Sequence, residues 1–111
     1  MAAPDPGGYK LLIVYDVNTD SMQSYYRFML GRFVPLLAEM GLEMCDAWHT
    51  AYGHHPNRLI GFLARDLDTI RDVLHSDIWT ALNQELNRFV SDFSFKVIPY
   101  REGFQFTQGG S

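Results

Sequence analysis

Along this chain, short apolar runs alternate with longer stretches in which apolar residues return every third or fourth position. YKLLIVYDVN (9–18) is of the first kind and predicts a strand. Tyr9, Leu11, Ile13, Tyr15 and Val17 fall on one side of it, and Lys10, Leu12, Val14, Asp16 and Asn18 on the other. Both sides are apolar in the middle, so the strand is expected to be covered on both faces. In NTDS (18–21), Thr19, Asp20 or Ser21 can cap a helix. Met22, Tyr25, Tyr26, Met29, Leu30, Phe33, Leu37 and Met40 then share one helical face. Pro35 has no N–H for the carbonyl of Gly31, which predicts a kink near residues 31–35. Gly41 suits a left-handed helix stop.

LEMCDAWHTAY (42–52) and RLIGFLAR (58–65) predict two more strands. The turn formers in GHHPN between them make an antiparallel hairpin. DLDTIRDVLHSDIWTALNQELNRFV (66–90) has helical spacing, and Ser76-Asp77 reads as a fresh cap, so two helices are expected to meet at His75-Ser76. FSFKVIPYREGFQF (93–106) is the last strand, with Pro99 at an edge, a bulge or the point of departure. The order β-α-β-β-α-β with right-handed crossovers gives an α+β fold. It is the ferredoxin-like arrangement: a four-stranded antiparallel sheet with the helices on one face. The domain spans 9–106, with 1–8 and 107–111 as flexible tails. The second sheet face would be apolar and bare, so the expected partner is a second copy, packed sheet on sheet as a homodimer.

Composition narrows the function classes. The chain is 47% hydrophobic and 14% aromatic, too apolar for a disordered chain. So many rings in 111 residues suggest a ring-filled core, a second apolar face or a ring-lined pocket. The net charge of −4 and the lack of any Lys or Arg run argue against nucleic acid as a partner. No apolar stretch approaches the ~18 residues of a membrane span. MAAPDPGG has no charged or apolar signal region, and Cys45 is the single cysteine, so a cytoplasmic location is expected.

GLEMCDAWHTAYGHHPNRLIGF, SDIWTALNQEL and the run into REGFQF resemble the dimeric α/β-barrel superfamily, and within it the NIPSNAP-like and related uncharacterised members. The marks are a Trp before a glycine turn, Asn-Arg opening strand three and a Trp early in the last helix, over about residues 9–106. The resemblance implies two ferredoxin-like subunits with sheets packed face to face. It also implies a choice among cofactor-free monooxygenases, haem-degrading enzymes, isomerases, lyases and proteins without known activity. Haem degradation is disfavoured: Asn83 stands where that branch carries its haem-ligand His, Ala64 where it carries a Trp, and Tyr15 near its strand-one Asn.

His54 and His55 are turn neighbours that point apart, so a solvated turn is expected and no metal site. His49 either faces a cavity as acid or base, or is a satisfied polar residue at the dimer face. Trp48 lies on the opposite strand face. Tyr15, Trp79 and Asn83 are expected near any cavity between sheet and helices. The ligand-binding candidates are thus Tyr15, Trp48, His49, Trp79 and Asn83, with His49 and Tyr15 for catalysis and no cofactor. Asp16 is expected to pair with Lys10 or Lys96 on the two strands taken as central, and Cys45 to be an inert buried thiol. Two functions remain. One is a homodimer holding a small apolar or aromatic molecule, as a binder or a cofactor-free oxygenase or isomerase. The other is a non-catalytic dimeric module with a filled core.

Overall fold

The computed structural model describes residues 8–50 and 57–100. Its strands are β1 (Gly8–Val17), β2 (Glu43–His49), β3 (Arg58–Ala64) and β4 (Val90–Tyr100). They form one antiparallel sheet in the order β2-β3-β1-β4. The central strands are therefore β1 and β3, and β4 is an edge, not a central strand. The sequence carries the reason. RLIGFLA is apolar almost throughout, as a strand covered on both faces must be, whereas β4 carries Ser91, Ser94, Lys96 and Pro99. Pro99 pairs with Tyr9 at that edge, where a missing donor costs little. β4 begins three residues earlier than the spacing predicts, and residues 101–106 lie outside the described residues.

The first helical segment is α1 (Met22–Phe28), a π-helical turn (Met29–Phe33) and α2 (Val34–Glu39). The predicted kink takes the form of that wider turn. The Val34 N–H reaches back five residues to the Met29 carbonyl just before Pro35, whose missing N–H would have served Gly31. No side chain caps the start; a 3₁₀ turn, Thr19–Ser21, does so with Ser21 N–H on the Asn18 carbonyl. The end is the predicted glycine stop. Gly41 has φ +97°, Gly41 N–H donates to Ala38, and Leu42 N–H donates to Leu37.

Two further helices follow β3: α3 (Leu67–Leu74) and α4 (Asp77–Leu86). Asp66 caps the first, accepting from the Thr69 N–H at 2.8 Å and its hydroxyl at 2.7 Å. Those two bonds, the hydroxyl's first, hold the Asp66 carboxyl below its ordinary range. Ser76 caps the second, accepting from the Trp79 N–H at 3.0 Å and donating to the Val73 carbonyl at 2.7 Å. The break at His75-Ser76 is thus where the sequence places it.

All helices lie on one sheet face. Leu11, Ile13 and Tyr15 of β1 and Ile60, Phe62 and Ala64 of β3 pack there with Tyr25, Phe28, Phe33, Leu37, Ile70, Val73, Trp79, Leu82 and Leu86. On the opposite face Leu12, Val14, Leu59 and Leu63 remain half-buried and Trp48 is 67% exposed.

Candidate functional site

Residues of α1 and the π turn stand over the helix-facing side of β2 and β3. In register, Met44, Ala47 and His49 of β2 oppose Phe62, Ile60 and Arg58 of β3. Between these strands and the helix lies an open cleft of about 200 Å³. Tyr25, Tyr26, Met29, Leu30 and Val34 form its helical wall, and Met44, Ala47, Trp48, His49, Arg58 and Ile60 its sheet wall. Met29 and Leu30 are adjacent in sequence yet both border it, which the wide π turn permits.

The polar end of the cleft is built around Arg58. It is only 6% exposed, at the first position of β3. Its Nη2 donates to the Tyr26 hydroxyl at 2.6 Å and lies 3.6 Å from the Met22 sulfur. The guanidinium sits 5.8 Å from the Tyr25 ring centre and 5.5 Å from that of Tyr26, within cation–π range. Behind it the Tyr25 and Tyr15 hydroxyls are 2.7 Å apart. Burial first, then the neighbouring Tyr25, pushes the Tyr15 phenol far up, and burial also raises Tyr25. Both phenols therefore stay protonated and act as hydrogen-bond groups, not bases.

The five predicted ligand residues separate. Trp48 and His49 border the cleft, although their side chains belong to opposite faces of β2; His49 is Arg58's cross-strand neighbour. Tyr15, Trp79 and Asn83 do not line it. Tyr15 is fully buried, stacked 6.2 Å from Phe93. Trp79 is packed between Phe33 and Phe95, and the Asn83 amide donates to the Trp79 carbonyl within α4. The cavity forms over the β2 edge, where small Ala47 leaves room, and the space near Trp79 is filled by rings. His54 and His55 lie outside the described residues. Among the described residues no group of three metal-ligating side chains forms.

Arg58, Tyr25 and Tyr26 carry the site's polar character, and sequence reasoning did not select them. The signal was an arginine opening an otherwise apolar strand. Reading the two tyrosines as part of an apolar face concealed their hydroxyls.

The charge pairing also differs from expectation. Lys10 Nζ donates to Asp46 Oδ2 at 2.8 Å, across the open sheet face. Each partner's hydrogen bond is the main cause that raises Lys10 and lowers Asp46. Asp16 is buried at the end of β1 and accepts the Asn57 N–H at 2.8 Å, while Asn57 Oδ1 accepts the Val17 N–H. Lys10 is drawn away because a bulge between Met44 and Asp46 turns Asp46 towards it. Cys45, at that bulge, is exposed and not buried as expected. Partial desolvation of its sulfur and the Asp46 carboxylate keep the thiol protonated.

No protein-family model and no curated protein sequence matches the chain. Solved structures do share its fold. A NIPSNAP family protein of Agrobacterium tumefaciens superposes with a TM-score of 0.64 at 9% identity, covering 94% of this chain and 98% of that one. A second from that organism gives 0.62 at 13% identity, covering 86% and 87%. A Bacteroides thetaiotaomicron protein of unknown function, called a possible oxidoreductase, gives 0.65 at 6% identity, covering 83% and 96%. The chain thus has the α+β, ferredoxin-like fold of the NIPSNAP proteins.

Proposed function

We propose that this protein is a homodimer that binds a small apolar or aromatic molecule in the cleft between α1, the π turn and the β2–β3 edge. The observation that carries the reading is the cleft itself: a concave, mostly apolar site with convergent polar groups at one end. Apart from Trp48 at the strand edge, its sheet wall belongs to the helix-facing side, so the site stays open when the other face is covered. That other face supports self-association. Leu12, Val14 and Leu59, with Ser94, Phe95 and Lys96 of β4, line a depression across β3, β1 and β4, and Trp48 stands beside Leu59 on β2.

The catalytic form of the proposal is a cofactor-free oxygenase or isomerase, with His49 at the cleft as the titratable group. A relative called a possible oxidoreductase lies in the same fold class. The second reading, a non-catalytic dimeric module, draws on the filled core around Tyr15 and Trp79.

Light scattering on a sizing column, followed by native mass spectrometry, tests both halves. The expected result is a dimer that Leu59→Lys converts to a monomer, carrying or accepting a small mass in wild type. A monodisperse wild-type monomer at micromolar concentration overturns the assembly. A Met29→Trp variant, which fills the cleft, should lose the bound mass; retention of that mass removes the cleft as its seat.

A further inference from the structure

The apolar cleft ends in a buried cation for which the described residues supply no carboxylate. Among the described residues no Asp or Glu lies within ion-pair distance of Arg58, although the side chain is 94% removed from solvent (6% exposed). A charge so placed is expensive unless something of opposite sign meets it. The described residues supply partial compensation: the Tyr26 and Tyr25 hydroxyls, a thioether and two ring faces. The contacts with Tyr26 and Met22 both fall on Nη2, and the Tyr25 hydroxyl also bonds the guanidinium. A guanidinium anchored by tyrosine hydroxyls at the wall of a cavity suits a planar, two-oxygen anion that can meet its fork.

The cavity sets the rest of the ligand. About 200 Å³ is little more than the ~150 Å³ cavity that accepts benzene in a protein core. Away from Arg58 the walls are Met29, Leu30, Val34, Met44, Ala47 and Ile60. We propose that the cleft takes a compact apolar carboxylate, one ring or an equivalent aliphatic body, with its carboxylate on Arg58 and its body against the methionines. Tyr26 fixes the guanidinium plane. The inference rests on the cleft's being the binding site and deepens that reading by naming the ligand's charge and size.

Benzoate, benzyl alcohol and acetate separate the ideas when titrated into ¹⁵N-labelled wild-type protein. The Ala47 and His49 backbone amides and the Arg58 Nε–H report the site. Benzoate is expected to bind at least about tenfold more tightly than either other probe, since a charge-assisted pair and the apolar body each contribute that much. Arg58→Met should abolish the preference for benzoate over benzyl alcohol. Arg58→Lys, which keeps the charge without the fork, should retain part of it. Equal binding of benzoate and benzyl alcohol to wild type overturns the anion assignment and leaves the apolar site standing. Acetate binding as well as benzoate overturns the assignment of an apolar body. Binding of none of the three overturns both this inference and the cleft reading beneath it. The wild-type comparison decides even where an Arg58 variant fails to fold.

Discussion

The hydroxyls of Tyr15 and Tyr25 lie 2.7 Å apart, and neither side chain is more than 2% exposed. Their bond links central strand β1 to the helical wall of the cleft, as the Arg58–Tyr26 bond links β3 to it. The two partners differ in what surrounds them. Among the described residues the Tyr15 hydroxyl bonds Tyr25 alone, whereas the Tyr25 hydroxyl also bonds the Arg58 guanidinium. Tyr25→Phe therefore strands a fully buried hydroxyl and should destabilise the fold by about 1–3 kcal/mol. Tyr15→Phe leaves the Tyr25 oxygen beside a cation and should cost less. The double variant should be no worse than Tyr25→Phe, because the stranded group is then gone. Urea unfolding of the three variants checks the order; equal single losses that add in the double would refute it.

Gly61 is required by a close approach, not by its backbone angles. A Cβ built there would stand 2.8 Å from Asp46 Oδ2 and 3.1 Å from both Asp46 Cβ and a Leu12 methyl. Asp46 can yield only by leaving Lys10. Gly61→Ala should thus cost about 1–2 kcal/mol, through overpacking and loss of the pair. Most of the ion-pair part should vanish in a Lys10→Met background, where Asp46 is free to move. A thermal-melt cycle of the four proteins measures that coupling, and strict additivity would refute it.

Most of the architecture was legible in the residue pattern, and most of the site was not. The two-residue period of YKLLIVYDV, the glycine stop at Gly41 and the Ser76 cap are local signals, and local physics suffices to read them. The central position of β3 was legible too, in the unbroken RLIGFLA, but needed a comparison of β3 with β4 rather than a reading of each alone. The cleft depends on which side chains meet across a gap: His49 comes beside Arg58 only through the β2–β3 register, and a bulge at Cys45 sets that register. One inserted residue turns Asp46 towards Lys10, and no periodicity reveals it. Tyr15 was selected for being an aromatic polar residue on a central strand, which is also what sealed it in the core.

The Lys10–Asp46 pair gives stability a predictable pH dependence. The Asp46 carboxyl is held below its ordinary 3.8, so its contribution is present above that value and is lost as pH falls through the lower folded value. The Lys10 ammonium is held above 10.5, so its contribution is complete below that pH and is lost as pH rises further. Between those limits the pair is fully formed, and stability should not change on its account. Both side chains are partly exposed, so Asp46→Asn should cost at most about 1 kcal/mol at neutral pH, a few degrees of melting temperature. The gap between wild type and variant should close below the folded Asp46 value. Melting curves from neutral to strongly acid pH check this; a gap that persists in acid would assign the effect to packing.

Ser76 carries the junction between α3 and α4 with one oxygen that both accepts and donates. It receives the Trp79 N–H at the start of α4 and gives its own proton to the Val73 carbonyl at the end of α3. Trp79 is then fixed with its ring against Phe33 and Phe95, between the helices and the sheet edge. Ser76→Ala loses the cap and should destabilise by about 0.5–2 kcal/mol, while Ser76→Asp keeps the acceptor and should recover most of that loss. Ser21→Ala is the internal comparison. Ser21 occupies the same position before α1 but makes no side-chain cap, so its loss should lie within about 0.5 kcal/mol of zero. Chemical denaturation of the three variants decides. Equal effects at Ser21 and Ser76 would mean that helix propensity, not the cap, sets the stability of both starts.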